Sequence, residues 1–360
     1  MIWIPLAILF VVPLIVVYFI IVRSVDRYAP EPWWLLFLCL VWGAVGAVIP
    51  SVVGGLLGQE ALDMLMAFSE HDAERGAEIV ENASATFVAP LVEEPAKALG
   101  LLAIYLFSRR RVHETHGPLS GVVYGGIIGL GFTLTEDIMY IISAANEAGG
   151  GGFIGVFFVR TILLGFGHAT FTALTGLGFG LFVITRSGWR WLMPLLGLSG
   201  GMLIHAGRNF FGSYLMMEGV GVLLILLLHA LVIAVFFGLL IWLGFRDRKR
   251  VIDGLQSVVG TLISREEYDR IINPWMLLPG WNVFNLTGLP GGYFAVRKKQ
   301  LNLFSLAFIR NRVRYERDRA DKPPRIDPVE SEAIAAIQLA NQQGVCLAPH
   351  PIDKQPHVLS

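Results

Sequence analysis

Seven long apolar stretches constrain the fold of this 360-residue chain more than any other feature of its sequence. A membrane-spanning helix needs about 20 mostly apolar residues to cross roughly 30 Å of hydrocarbon. Backbone N–H and C=O groups cannot stay unpaired in lipid, so such stretches form helices. The stretches that qualify are residues 2–22, 33–57, 84–107, 119–142, 160–185, 190–211 and 220–244. The sequence therefore predicts an all-α fold, a polytopic membrane helix bundle of about seven spans with a small, partly disordered cytoplasmic C-terminal tail.

The composition also indicates a membrane protein, since hydrophobic residues make up 54% of the chain and charged residues only 16%. A soluble globular protein carries about 25% charged residues. The formal net charge is zero, so no dominant basic face points to nucleic acid as a partner. The two cysteines, Cys39 and Cys346, are too few for a disulfide framework or a cysteine-rich zinc site. These observations exclude a nucleic acid-binding protein with a dominant basic face and a small disulfide-rich secreted protein.

The charges of the predicted loops indicate how the chain is oriented. Residues 23–32, 108–118 and 185–190 contain arginines, whereas residues 58–83 are acidic. Loops rich in Lys and Arg stay in the cytoplasm, which places the N-terminus outside. An odd number of spans then places the C-terminus in the cytoplasm, in agreement with the basic residues at 246–250. We therefore expect a multi-pass protein of the cell (inner) membrane, surrounded by the lipid bilayer.

The chain divides into three regions by composition. Residues 1–244 are the predicted membrane-embedded catalytic helix bundle. Residues 245–322 are basic and expected to be cytoplasmic, and from residue 296 to residue 319 arginines are mixed with apolar side chains. This pattern suits either a helix lying on anionic lipid or a helix packed in a small cytoplasmic domain. Within this region, Ser264 and Glu267 have capping-box spacing and predict the start of a helix. Residues 323–360 are expected to form a linker, a short helix over 328–343 and a disordered tail.

The apolar run over residues 153–185 is too long for one untilted span, at about 50 Å if it is helical throughout. Arg160 and the glycines at 165 and 167 predict a lead-in segment, then a break, then the span. Arg160 itself is expected to snorkel toward the interface or to bind substrate. Asp137, near the end of the preceding span, is expected to face the outer interface.

Ionisable side chains within the predicted spans mark the candidate functional region. Placing a charged group in a span costs roughly 2.5–3.5 kcal/mol, so such a group is a functional candidate by default. Glu93, Glu136, His168 and His205 belong to four different spans. Counting about 1.5 Å per residue places all four in the outer half of the bilayer. We expect them to converge on one hydrated pocket close to the extracytoplasmic surface.

The spacing of the polar residues indicates which of them share a helix face. Glu93 and Lys97 are four residues apart, as are His205 and Asn209, so each pair lies on one face. We expect Lys97 to offset part of the carboxylate charge. Glu94 lies about 100° around the helix from Glu93, which predicts that the two glutamates do not point to one centre.

Four motifs, in order along the chain, resemble those of the PrsW family of intramembrane proteases. They are residues 93–97 (EExxK), residues 132–136 (FxxxE), the single His168 and residues 205–209 (HxxxN). The family belongs to the superfamily of CAAX prenyl endopeptidases and bacteriocin-processing proteases, whose wider membership has histidine where this chain has Glu136. The resemblance extends over roughly residues 20–245, and residues 26–32 look like the family's first cytoplasmic connection.

This resemblance implies an intramembrane endopeptidase that cuts a membrane-anchored protein, such as an anti-sigma factor, near the extracytoplasmic side of the bilayer. The protein substrate and the lipid bilayer are the expected partners, and the sequence makes no prediction of the oligomeric state. The residues that match the family motifs form the implied catalytic set of Glu93, Glu94, Glu136, His168, His205 and Asn209, with Lys97 and Phe132 in supporting positions.

Peptide hydrolysis needs a base for water, stabilisation of the oxyanion and an acid for the leaving amine. We interpret Glu93 as the general base, with His168 helping to hold the water. His205 and Asn209 would stabilise the oxyanion, and Glu136 would orient or tune an imidazole.

A divalent metal such as zinc is the alternative centre for the same chemistry. His168, His205 and Glu136 would then be its ligands, with an open position for water. The chain has no H-E-x-x-H motif, so the sequence requires no cofactor.

Two other functions fit the polar residues. Buried carboxylates and histidines also occur in ion- or proton-coupled transporters, although the paired repeats typical of such transporters are not found in this sequence. The other function is that of an inactive family member that only binds a membrane partner. The complete set of motif residues argues against this second alternative.

Overall fold

The structure is a computed structural model that describes residues 2–28, 30–67, 73–108, 117–185, 187–215, 219–273, 292–317 and 328–347. Within these residues the regular secondary structure is helical and no strand is formed, which confirms the all-α prediction. The chain divides into two compact units. The first consists of Met1–Arg23 and Glu31–Leu240, and the second of Ser24–Pro30 and Ile241–Ser360. Residues 24–30, which separate the first two predicted spans, therefore belong to the C-terminal unit, and the sequence did not predict this.

Nine α-helices begin in the first unit as the structure describes it, and three π-helical segments interrupt or extend them. The helices are α1 Trp3–Val25, α2 Trp33–Val41, α3 Val48–Ala67, α4 Ala73–Ala83, α5 Ala89–Ser108, α6 Pro118–Val156, α7 Gly167–Ile184, α8 Leu192–Leu215 and α9 Gly219–Leu255. The π-helical segments are Trp42–Gly46, Ser84–Val88 and Phe157–Leu163.

Four helical stretches among the described residues are long and apolar enough to cross a membrane: Trp3–Val25, Trp33–Met66, Pro118–Ile184 and Leu223–Val258. The protein is therefore a multi-pass membrane protein. The stretch Pro118–Ile184 contains two of the predicted spans, and the third and sixth predicted spans fall in α5 and α8. The count of seven spans stays a prediction.

The predicted break in the long apolar run is confirmed. Helix α6 ends at Val156, the π-helical segment Phe157–Leu163 follows, and α7 begins only at Gly167. A Cβ atom at Gly165 would lie 2.2 Å from the carbonyl oxygen of Thr161, so only glycine fits in this turn. The Tyr18 hydroxyl donates to the same carbonyl oxygen at 3.0 Å. These contacts fix the position at which α7 starts, one residue before His168.

Helices α6 and α7 approach each other through small residues, which permit close backbone contact between membrane helices. A Cβ atom at Gly121 would lie 2.0 Å from the carbonyl oxygen of Gly176. Two turns further along α6, a Cβ atom at Gly129 would lie 2.3 Å from the carbonyl oxygen of His168. The glycines of α6 therefore set the position of the helix that carries His168.

The second unit has a hydrophobic core of its own, to which helices α10 Arg265–Ile271, α11 Gly292–Arg317 and α12 Pro328–Gln342 contribute. Leu303, Phe304 and Ala307 of α11 are buried in this core. The basic region therefore forms a helix that packs in a hydrophobic core, and its position relative to the bilayer stays a prediction. From the first connection of the chain, Tyr28 packs its ring edge against Phe304, with the ring centroids 5.1 Å apart.

The start of α10 confirms the predicted capping box. The backbone N–H of Glu267 donates to the Ser264 hydroxyl at 3.1 Å, and the backbone N–H of Ser264 donates to the Glu267 carboxylate at 3.0 Å. The predicted helix over 328–343 corresponds to α12, and the predicted linker before it lies outside the described residues. The prediction of a disordered tail from residue 344 was wrong at its start, because Val345 and Leu347 are buried in the core of the second unit. Residues 348–360 lie outside the described residues.

A buried ion pair lies within the second unit. Lys299 donates from Nζ to Glu267 Oε1 at 2.6 Å and to the carbonyl oxygen of Val345 at 2.9 Å. The backbone N–H of Leu347 donates to the same Glu267 oxygen at 3.0 Å. Burial alone would raise the pKa of Glu267, but the hydrogen bonds from Lys299, Leu347 and Ser264 outweigh it and lower this pKa overall.

Candidate active site

Helix α5 brings a lysine and two glutamates into direct contact. Lys97 Nζ lies 3.1 Å from Glu93 Oε2 and 2.9 Å from Glu94 Oε1. The side chains of Lys97 and Glu94 are fully buried, whereas that of Glu93 is 13% exposed. The expectation that the two glutamates would not share a centre was wrong. Lys97 follows Glu94 by three residues and Glu93 by four, and both spacings place a partner on the same side of a helix.

His168, the second residue of α7, links this cluster to α6. Its Nε2 lies 2.7 Å from Glu136 Oε2, its Nδ1 lies 3.0 Å from Lys97 Nζ, and the same Nδ1 lies 3.9 Å from Glu93 Oε2. An ionised carboxylate only accepts hydrogen bonds, so Nε2 carries the proton that faces Glu136. The lone pair of Nδ1 then faces the ammonium group of Lys97.

Arg160 holds the two carboxylates at the end of the FxxxE motif. Its Nη2 lies 2.6 Å from Glu136 Oε2, and its Nε donates to Asp137 Oδ1 at 3.2 Å. Asp137 is 2% exposed, so the expectation that it faces the outer interface was wrong. The reason is the π-helical segment Phe157–Leu163, which places the guanidinium beside both acids. Arg160 therefore belongs to the site, although the sequence analysis did not include it among the site residues.

His205 of α8 meets the second glutamate of α5. Its Nδ1 lies 3.1 Å from Glu94 Oε1, and the other oxygen of Glu94 accepts a hydrogen bond from Thr172 Oγ1 at 3.1 Å. Phe171 stacks on the His205 ring at a centroid distance of 4.8 Å. The ring centroids of His168 and His205 are 5.0 Å apart. Sequence reasoning missed Thr172, although it follows His168 by four residues and therefore shares its face of α7.

Asn209 and Phe132 surround this cluster in different ways. Asn209 donates from Nδ2 to the carbonyl oxygen of Ala85 at 2.8 Å, which joins α8 to the π-helical segment Ser84–Val88. The Phe132 ring lies 5.0 Å from the His168 ring, and Lys97 Nζ lies 3.7 Å above the centroid of the Phe132 ring. Each motif residue named from the sequence therefore lies in this network or directly beside it.

The four residues Glu93, Glu94, His168 and His205 also form a candidate metal site. Each offers one donor atom, and these atoms all lie within 4.8 Å of one another. Imidazole and carboxylate are the donors of catalytic zinc sites, so the donor types fit a divalent ion. Glu136, which the sequence interpretation also placed among the ligands, lies 2.7 Å from His168 Nε2. A carboxylate in that position is a common second partner of a metal-bound imidazole.

The chain matches the model of a known protein family. The model of the PrsW family, described as intramembrane metalloproteases, matches residues 31–243, which is more than half of the chain. The matched region contains all the residues of the site described above, from Glu93 on α5 to Asn209 on α8. Comparison with curated proteins and with solved structures finds no match.

Proposed function

Because the chain belongs to the PrsW family of intramembrane metalloproteases, we propose that it hydrolyses a peptide bond of a membrane-anchored protein of the anti-sigma-factor kind. The cut would lie near the extracytoplasmic side of the bilayer, which is the side expected for these polar residues from their positions along the predicted spans. In this proposal residues 1–244 carry the catalysis, the N-terminus is outside and the C-terminal region is cytoplasmic.

The observation that carries this proposal is the difference between the two glutamates of α5. Glu94 is fully buried, and its two oxygens are taken by Lys97, His205 and Thr172. Glu93 is partly exposed, and its carboxylate lies beside the Nδ1 atom of His168. A general base must be within hydrogen-bond reach of the water it activates. Glu93 is therefore the base, and Glu94 is the acceptor that holds the surrounding donors in place.

The remaining catalytic roles follow from the hydrogen bonds that the atoms of the site already make. In its doubly protonated form His205 has Glu94 as a counter-ion at Nδ1 and can donate from Nε2 to the oxyanion. Asn209 uses one of its two amide N–H bonds on Ala85, and the other remains for the oxyanion. Glu136 orients His168 by accepting from Nε2, and Arg160 holds Glu136 in position. Protonated Glu93 then returns its proton to the leaving amine.

A metal-dependent form of the same chemistry uses the same residues. Glu93, Glu94, His168 and His205 would hold the ion, and a bound divalent ion supplies Lewis acidity toward the water and the carbonyl oxygen. The residues around this donor set keep their roles, since Thr172 and Glu136 orient Glu94 and His168 in either case.

The test compares Glu93→Gln with a matched control, Glu147→Gln, in protein reconstituted in lipid. Candidate substrates are identified by comparing the membrane proteins of wild-type cells with those of cells that carry the Glu93→Ala, His205→Ala variant. A substrate should accumulate in the cells with the variant. Removing the base should lower the cleavage rate at least ~100-fold. Glu147 is exposed on α6, away from the site, so its variant should cleave normally.

Cleavage by Glu93→Gln at the wild-type rate would contradict the assignment of the base. Ion flux through the reconstituted protein without any cleavage would contradict the peptidase function and favour a transporter.

A further inference from the structure

The ammonium group of Lys97 lies among the donors that a metal ion would use. It is within 3.1 Å of Glu93 Oε2, Glu94 Oε1 and His168 Nδ1, which belong to three of the four residues of the candidate metal set. The Phe132 ring covers another side of the same nitrogen at 3.7 Å. Two carboxylates, an imidazole lone pair and the face of an aromatic ring all favour a cation. The cation at this centre is therefore the ammonium group of one of the protein's own side chains, Lys97.

His168 makes this arrangement incompatible with a metal ion at the same donors. A neutral imidazole has one proton and one lone pair. The carboxylate of Glu136 lies on Nε2, so the proton is there and the lone pair is on Nδ1. Lys97 uses this lone pair at 3.0 Å. His168 can accept from the ammonium or ligate a metal ion through Nδ1, but it cannot do both.

The distances between the donors lead to the same conclusion. Zinc bonds to nitrogen and oxygen are about 2.0–2.2 Å long, which places the donors of a tetrahedral site about 3.4 Å apart. The donor atoms of the four residues here lie up to 4.8 Å from one another. The ammonium of Lys97 contacts three of these residues at 2.9–3.1 Å. Their present spacing suits an ammonium that donates hydrogen bonds to them at close to 3 Å. Metal binding would require the donors to contract and the ammonium to leave.

We propose that Lys97 and a divalent metal ion are mutually exclusive occupants of this donor set, and that Lys97 thereby sets the metal affinity of the site. The inference rests on the proposed function, because it takes this donor set to be the active site of the peptidase. It assigns to the lysine of the EExxK motif a role beyond neutralising charge, because the lysine determines how readily the peptidase binds metal.

The experiment measures metal binding without substrate. Metal-free wild-type protein and its variants are titrated with Co²⁺ by visible absorption and with Zn²⁺ by equilibrium dialysis. Lys97→Met keeps the length of the side chain and removes the charge, so it should bind one Co²⁺ at least ~100-fold more tightly than wild type, since it removes a charge within a few ångströms of the ion. Lys97→Arg retains the charge and should bind as weakly as wild type. Lys249→Met, at an exposed lysine of α9, is the matched control and should not differ from wild type.

A second measurement uses the wild-type protein and does not depend on how well Lys97→Met folds. Lysine side chains are labelled with ¹⁵N, and the Lys97 ammonium resonance is identified by its absence in Lys97→Arg. One equivalent of Zn²⁺ at saturating concentration should shift or remove this resonance. The buried ammonium of Lys299, which pairs with Glu267 in the other unit, should keep its resonance and provides the internal control.

Equal Co²⁺ affinity in wild type and Lys97→Met would overturn the inference, as would Zn²⁺ binding that leaves the Lys97 resonance unchanged. Neither result would affect the peptidase proposal, which depends on cleavage. Conversely, normal cleavage by Glu93→Gln would overturn the proposed base and leave the metal affinities of the Lys97 variants as measured. The two failures are therefore distinguishable.

Discussion

Replacing Gly129 with alanine tests how closely helix α6 must approach helix α7 for the site to form. The new Cβ atom would lie 2.3 Å from the carbonyl oxygen of His168 and 2.6 Å from the backbone nitrogen of Ala169. A carbon and a carbonyl oxygen in contact are normally about 3.3–3.6 Å apart. These are backbone atoms of a packed helix, so no flexible side chain can move away. The two helices must separate locally by about 1 Å.

The magnitude of the effect follows from the contact between His168 and Glu136. Glu136 is on α6 and His168 is on α7, so separating the helices stretches their 2.7 Å contact directly. After a shift of about 1 Å it exceeds the range of a hydrogen bond. Misplacement of a catalytic group by about 1 Å lowers a rate by roughly 100-fold. Overpacking should also destabilise the protein by about 1–3 kcal/mol.

The assay measures cleavage rate and thermal stability of Gly129→Ala and Gly126→Ala in the same lipid. Gly126 is a matched control on α6, because its Cβ atom would lie 3.4 Å from Val22 Cγ1 and 3.7 Å from Phe236 Cζ, which are ordinary contacts. We expect Gly126→Ala to cleave at close to the wild-type rate. If Gly129→Ala does the same, the close approach of α6 to His168 does not position the site, and the reasoning above is refuted.

Two further predictions concern the ion pairs of the two units. Arg160→Gln removes the guanidinium that contacts both Glu136 and Asp137, and it should destabilise the protein by about 3 kcal/mol in unfolding measurements. Arg160→Lys should recover part of this loss, and wild-type stability in Arg160→Gln would contradict the prediction. Because the pKa of Glu267 is lowered in the folded protein, its contribution to stability is fully present above the unfolded-state pKa of about 4.3 and is lost as the pH falls through the lower folded-state pKa. The hydrogen-exchange protection factors of α10 and α11, which compare each amide with its intrinsic exchange rate at the same pH, should therefore fall over this acidic range in wild type and not in Glu267→Gln. Equal pH dependence of the protection factors in both proteins would show that Glu267 is not responsible.

The polar residues of the four motifs could be predicted because each motif lies within one helix. Glu93, His168 and His205 are conspicuous in apolar stretches, and spacing within a helix pairs Lys97 with a carboxylate on the same face. The break before α7 was likewise visible, because the glycines and Arg160 interrupt an apolar run that is too long for one span. The capping box at Ser264 is also local, since it depends on residues three apart.

Contacts between distant residues could not be predicted in this way. His168 lies 71 residues from Lys97, and His205 lies 111 residues from Glu94. Helical periodicity gives the angle at which a Cβ atom leaves the helix but not the reach of a long side chain, so it wrongly separated Glu93 from Glu94. The burial of Asp137 depends on Arg160, and no local pattern relates the two.

The sequence by itself determined that this chain forms apolar helices and that a small set of acids, imidazoles and a lysine lies inside them. This follows because apolar length and helical spacing are properties of neighbouring residues. The tertiary structure alone decided that Lys97 also contacts His168, that Glu136 lies on the far nitrogen of that imidazole, and that residues 24–30 join the C-terminal unit. These are consequences of backbone approach between helices, such as that at Gly129, which only the packed chain defines.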